Sequence, residues 1–173
     1  GDMERVQAVR EGAPGVRIVV DANEGWSIEE YVAYAPSLHR LGVSMIEQPF
    51  PADADEALAD LARPVPVCAD ESCHDRESLE ALRGRYDMVN IKLDKTGGLT
   101  EALALKRAAA EQGFEIMVGC MLATSLAMAP ALYLCDGAAV VDLDGPLLLE
   151  RDRPEGLHFE DTTIYPPRPE LWG

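Results

Sequence analysis

The chain has 173 residues, 47% hydrophobic and 27% charged, values that suit one soluble domain or a large piece of one and exclude a disordered segment. Fifteen basic side chains against 31 acidic ones leave a formal charge of −16, which repels phosphate backbones and anionic lipid and so excludes nucleic-acid and polybasic membrane roles. No apolar run reaches the roughly 18 residues of a spanning helix, and the opening GDMERVQAVR lacks the pattern of a secretory signal, so a cytoplasmic location is expected.

In chain order, residues 2–11 read as the end of a helix. Six near-continuously apolar runs follow, as expected of strands covered on both faces: GVRIVVD (15–21), VSMIEQP (43–49), VPVCADE (65–71), DMVNIKL (87–93), FEIMVGC (114–120) and AAVVDLD (138–144). Helical patterns lie between them. Ser27 with Glu30, and Asp53 with Glu56, have capping-box spacing; Asp75 opens a helix containing Leu79 and Leu82 that Gly84 stops. Leu99, Ala102, Leu103 and Ala110 predict the buried stripe of a helix ending at Gly113. Residues 151–173, with four prolines, read as an extended tail. The four cysteines form no CxxC pair and suit free thiols in a reducing compartment.

Asp21, Glu47, Asp70, Lys92, Gly119 and Asp142 close the six runs at intervals of 26, 23, 22, 27 and 23 residues. A regular β-then-α repeat with polar residues at the strands' carboxyl ends is how a (β/α) barrel assembles its chemistry. An open doubly wound sheet is the alternative, but it calls for a phosphate loop after the first strand, where this chain has DANEGW. Six strands fall short of the eight of a barrel, so the expected fold is an incomplete TIM-like (β/α) barrel over residues 1–150, with earlier strands outside the sequence.

Asp21, Glu47 and Asp70 end consecutive strands and are expected to converge at the barrel mouth. Two carboxylates at ~4 Å repel by about 4 kcal/mol at an effective dielectric of ~20. A cation relieves this, and an all-oxygen donor set points to Mg²⁺ or Mn²⁺ rather than Zn²⁺. Each acid taken alone could equally cap a helix or pair with an Arg. Lys92, in NIKLDK, is a candidate general base, its alternative being an ion-pair partner for one of the acids; Lys95 reads as peripheral. Asn23 and Asn90 are candidates to hydrogen-bond a ligand and the base, or to satisfy turn backbone. Trp26 and Met121 are expected to pack, with Met121 and Leu122 as possible pocket lining. His39 and His158 are weak candidates, and His74 opens a helix.

DANEGW, IEQP, ADES, NIKLDKTGG, VGCM and VVDLDGP, in that order and at compatible spacing, resemble the motifs of the enolase superfamily, in its muconate lactonizing enzyme subgroup and specifically its dipeptide epimerases. The resemblance implies that Asp21, Glu47 and Asp70 ligate Mg²⁺, that Lys92 is one of two acid/base lysines, and that Asp142 and Asp144 receive a dipeptide's α-ammonium group. Two carboxylates on alternate residues at a strand end favour a cation, although both could instead shape the turn before Gly145 and Pro146.

The implied reaction is epimerisation of L-Ala-D/L-Glu-type dipeptides from cell-wall turnover, by 1,1-proton transfer through an enediolate that Mg²⁺ stabilises. The family's second base belongs to a KxK motif, which does not occur in the 173 residues. That strand and an amino-terminal capping domain are expected to be absent, and the isolated chain to bind metal weakly without epimerising. The alternatives are a cycloisomerase, an o-succinylbenzoate synthase or an N-acylamino acid racemase, or a non-catalytic barrel fragment whose open strand edges favour a homo-oligomer.

Overall fold

The structure is a computed structural model describing residues 1–173. Helix α1 (Asp2–Gly12) precedes the expected alternation: β1 (Ile18–Asp21), α2 (Ile28–Arg40), β2 (Val43–Glu47), β3 (Val67–Ala69), α3 (Leu79–Leu82), β4 (Met88–Ile91), α4 (Leu93–Thr96), α5 (Leu99–Glu111), β5 (Glu115–Val118), α6 (Ser125–Ala131) and β6 (Val140–Val141). All six strands fall inside the apolar runs, β1 and β2 shortened at one end and the other four at both. They form one sheet in the order β1-β2-β3-β4-β5-β6. Sequential order with parallel pairing is the connectivity of a (β/α) barrel rather than of a doubly wound sheet, whose order reverses at a switch point. The fold is an incomplete (β/α) barrel. No helix is long and apolar enough to cross a membrane.

The chain divides into two compact units, residues 1–73 with 77–89, and residues 74–76 with 90–173. In the first, Ser27 caps α2 as expected: its hydroxyl accepts from the Glu30 N–H (3.2 Å) and the Glu30 carboxylate accepts from the Ser27 N–H (2.9 Å). Tyr31, Ala35 and Leu38, spaced to share one face of α2, are buried with Met45, Ile46 and Phe50, the Tyr31 and Phe50 rings meeting edge to face. The second predicted capping box does not form. Asp55 precedes a single 3₁₀ turn at Glu56–Ala59, and no side chain caps it.

In the second unit the buried face of α5 is Ala102, Leu105 and Ala109, while Leu103 is 40% exposed and Ala110 is exposed. The buried face thus lies about a quarter of a turn from the predicted stripe, because alanines and leucines occur all round this helix and the pattern offers two nearly equal faces. Residues 151–173 are not simply extended. They carry a hairpin, β7 (Phe159–Glu160) with β8 (Thr163–Ile164), and a short helix, α7 (Pro169–Trp172), that packs on α6. The Trp172 ring meets Tyr133 edge to face, and Leu171 is buried. Asp152 anchors this segment. Its carboxylate accepts from the Ser125 N–H (3.0 Å) and the Ser125 hydroxyl, capping α6, while the same hydroxyl accepts from the Leu157 N–H (2.9 Å).

Candidate active site

In the first unit, Asp21 and Glu47 end β1 and β2 as register partners. Glu47 in turn pairs with Cys68 of β3, two residues before Asp70. Neighbouring strands lie ~4.8 Å apart, so the backbone sets the three carboxyl-bearing residues in a row along the sheet's carboxyl edge. Glu47 and Asp70 are buried, at 5% and 3% exposure, and Asp21 is exposed. This donor set is all oxygen and suits a hard divalent cation. No three His, Cys, Asp or Glu side chains stand close enough to hold an ion as they are, so ligation would draw these carboxylates together.

Each strand end is fixed by its own loop. After β1, Asn23 and Glu24 adopt left-handed backbone conformations (φ 47° and 61°), and the Asn23 N–H donates to Asp21 Oδ1 (2.8 Å). The expected support from Asn23 thus comes through its main chain. The loop is held against the segment after β2: Glu24 N–H donates to the Gln48 carbonyl (2.8 Å), and Glu24 Oε1 accepts from the Ala52 N–H (2.7 Å). A Cβ on Gly25 would stand 2.8 Å from the Ala22 carbonyl, so no larger residue fits there without a shift.

A buried polar network escaped the sequence reading. Gln48, wholly buried with φ 32°, donates through Nε2 to the Phe50 carbonyl (2.9 Å), Ser72 Oγ (2.8 Å) and Tyr86 Oη (2.9 Å). Asp55, 1% exposed, accepts from Ser72 Oγ (2.6 Å), Tyr86 Oη (2.8 Å) and Arg85 (2.8 Å). Burial pushes the Tyr86 phenol far above its ordinary range, with the adjoining Asp55 carboxylate acting in the same direction, so Tyr86 stays a neutral donor. Gln48 sits in the IEQP motif, the one signal available. Asp55 lies in PADADEA, which reads as a surface loop, and only tertiary contacts bury it.

In the second unit, Lys92 precedes α4 in extended backbone conformation, half-buried. Its charge reaches Asp142, where it opposes a rise in that carboxyl's pKa. Partial desolvation is the main cause of the rise, and the adjoining Asp144 carboxylate is the second. Lys92, Asp142 and Asp144 are therefore electrostatic neighbours, with the two acids exposed at the end of β6. Desolvation also raises the pKa of the Cys120 thiol, which feels the same three charges. Lys95 reaches back to donate to the Asn90 carbonyl (3.0 Å), a structural role consistent with its peripheral reading. Asn90 is buried on β4, with its side-chain amide packed against the next strand end. A Cβ on Gly119 would stand 2.6 Å from Asn90 Oδ1. Glycine closes β5 because Asn90 occupies the space of any side chain there.

Trp26 is buried as expected, and its indole N–H donates to Asp2 (3.0 Å). Met121 is 46% exposed and Leu122 65%, so the expected packing of Met121 is not found; both follow β5 in an irregular segment outside the core. His39, His74 and His158 are all exposed. All four cysteines are free, Cys68 and Cys73 buried and the other two partly so.

The family described as enolase C-terminal domain-like matches residues 1–170. The chain is 54% identical over 156 residues to the L-Ala-D/L-Glu epimerase of Escherichia coli K12, covering 90% of this chain and 49% of that protein. It is 48% identical over 169 residues to an N-acetyl-D-glutamate racemase of a Pseudoalteromonas species, covering 98% and 54%. Among solved structures, an Agrobacterium tumefaciens enolase family member with homology to dipeptide epimerases, crystallised with sodium and L-Ala-L-Glu, superposes over the whole chain. Its TM-score is 0.98 at 56% identity, and 53% of that protein is covered. The chain thus spans about half the length of the curated relatives it matches. On the family match, these identities and the ordered row of strand-end acids, it belongs to the enolase superfamily, in its enolase C-terminal domain-like family.

Proposed function

We propose that the chain carries the metal ligands, one acid/base lysine and the ammonium-binding acids of a Mg²⁺-dependent epimerase of L-Ala-D/L-Glu-type dipeptides, working by 1,1-proton transfer. Asp21, Glu47 and Asp70 would hold the cation. When bound, it supplies positive charge to the substrate carboxylate beside the carbon that loses its proton. Lys92 takes or returns that proton at Nζ, the role of a lysine general acid and base. Asp142 and Asp144 receive the α-ammonium group. A second base on the opposite face completes an inversion; no KxK motif occurs in these 173 residues, so the isolated chain binds metal weakly and does not epimerise. Substrates released from cell-wall peptides in the cytoplasm fit this chemistry.

The observation that carries the reading is the adjoining Asp142–Asp144 pair, two acids at one strand end with Lys92 acting on them. It also separates the leading reading from a second one, an N-acylamino acid racemase, which the Pseudoalteromonas relative favours. An N-acyl substrate brings no ammonium to such a pair. Titration calorimetry with Mg²⁺ present tests this: L-Ala-L-Glu binds at least tenfold more tightly than its N-acetyl derivative, and Asp144→Asn removes the difference. Equal or tighter binding of the N-acetyl compound would overturn the dipeptide reading.

A further inference from the structure

Gln48 follows Glu47 directly, yet its left-handed backbone turns it off the strand, and its main chain and side chain contact all three strand ends that bear the acids. Its carbonyl accepts from the Glu24 N–H (2.8 Å), in the loop whose Asn23 N–H holds Asp21. Its own N–H donates to the Cys68 carbonyl (2.9 Å) on β3. Its Oε1 accepts from the Asp70 N–H (2.8 Å) and the Ser72 N–H (3.2 Å). Oε1 facing two main-chain donors and Nε2 facing three oxygens leave the amide one orientation. Ser72, Tyr86 and Asp55 then close the network behind it.

We infer that Gln48 is the positioning residue of the metal site: it fixes the main chain at Asp70, and through the adjoining segments at Glu47 and Asp21, before any ion arrives, so that only the carboxylate side chains have to close on the ion. It touches neither ion nor substrate. The inference rests on the metal reading above and deepens it. Preorganised ligands bind an ion more tightly than ligands that must first be ordered, so loss of this amide should appear as lost metal affinity beyond any loss of stability.

The test is Mn²⁺ titration of the full 173-residue chain, followed by electron paramagnetic resonance of the free ion, for the wild type, Gln48→Met and Leu38→Ala. Gln48→Met keeps the volume and removes every side-chain hydrogen bond. Leu38→Ala opens a cavity under α2, away from the acids, and controls for general destabilisation. The expected result is a Mn²⁺ Kd raised at least tenfold by Gln48→Met and no more than threefold by Leu38→Ala. A folded Gln48→Met within threefold of wild type, or an equal loss in Leu38→Ala, would overturn the inference. A wild-type chain that binds no Mn²⁺ at millimolar concentration would remove the metal reading and this inference with it. Should Gln48→Met not fold, amide hydrogen exchange in the metal-free wild type decides. Slow exchange at Asp70 and Ser72 supports the positioning role, and exchange at the rate of open loops rejects it.

Discussion

The two units place acidic side chains at strand ends in opposite ways. In the first, Glu47 and Asp70 are buried and backed by Gln48, Ser72, Tyr86 and Asp55, a connected set of hydrogen bonds. In the second, Asp142 and Asp144 stand exposed, adjoining each other, with Lys92 acting on them by charge. The first arrangement suits an ion, which rewards fixed ligand spacing; the second suits a mobile ammonium group, which rewards local charge and tolerates variation in angle. Rigidity and charge are thus supplied separately, and substitutions can be chosen to strike one without the other.

The largest effect is expected at Lys92. In the complete enzyme, Lys92→Met should lower epimerisation of L-Ala-D-Glu by about 10²–10⁴-fold, the usual worth of a general base, with little change in Mg²⁺ affinity; chiral chromatography of the product reads it. Next comes Gly119→Ala, whose new methyl meets the Asn90 amide and should cost about 1–3 kcal/mol of folding stability in a denaturant titration. Tyr86→Phe removes one hydrogen bond each from Asp55 and Gln48 and should cost about 1–2 kcal/mol by the same measurement. Gln48 keeps two acceptors for Nε2 and both donors to Oε1, so its amide should not turn.

Asp142→Asn sharpens the comparison through pH. The folded-state pKa of Asp142 is raised from 3.8, so the folded chain binds its proton more tightly than the unfolded chain does. The penalty of ionising Asp142 is therefore absent below the unfolded value and complete above the folded one. The Asn variant should melt higher than wild type at pH 7 and at the same temperature near pH 3, while binding dipeptide more weakly at pH 7. A melting temperature unchanged at pH 7 would mean that neither partial burial nor the Asp144 carboxylate penalises ionised Asp142. The smallest effect is expected at the exposed Arg76–Glu101 pair (2.9 Å), where Arg76→Ala should leave the melting temperature within error, as solvent screens such pairs.

The strands were legible because burial on both faces demands unbroken apolar runs, and β2 through β5 consist almost wholly of such residues. The polar residues that interrupt those runs at their ends, Asp21, Glu47, Asp70, Lys92 and Asp142, stood out against that background. Ser27 and Glu30 were equally plain, since a capping box is local chemistry. The α5 face was not, since apolar residues surround that helix. Asp55 and Tyr86 were invisible for a different reason. Their partners lie 14 to 38 residues away, and nothing in a window around either residue distinguishes a buried polar group from a solvated one.

The contact between Asn90 and Gly119 ties two positions 29 residues apart into a single mutational choice. A side chain at 119 becomes tolerable only once the amide at 90 has shrunk, whereas shrinking residue 90 first leaves a gap that only a change at 119 can refill. Each single step crosses a valley, and the pair can change only together or in the order Asn90 then Gly119. Engineering that reshapes this strand end should therefore vary both codons at once, because libraries that begin at 119 will discard the productive combinations.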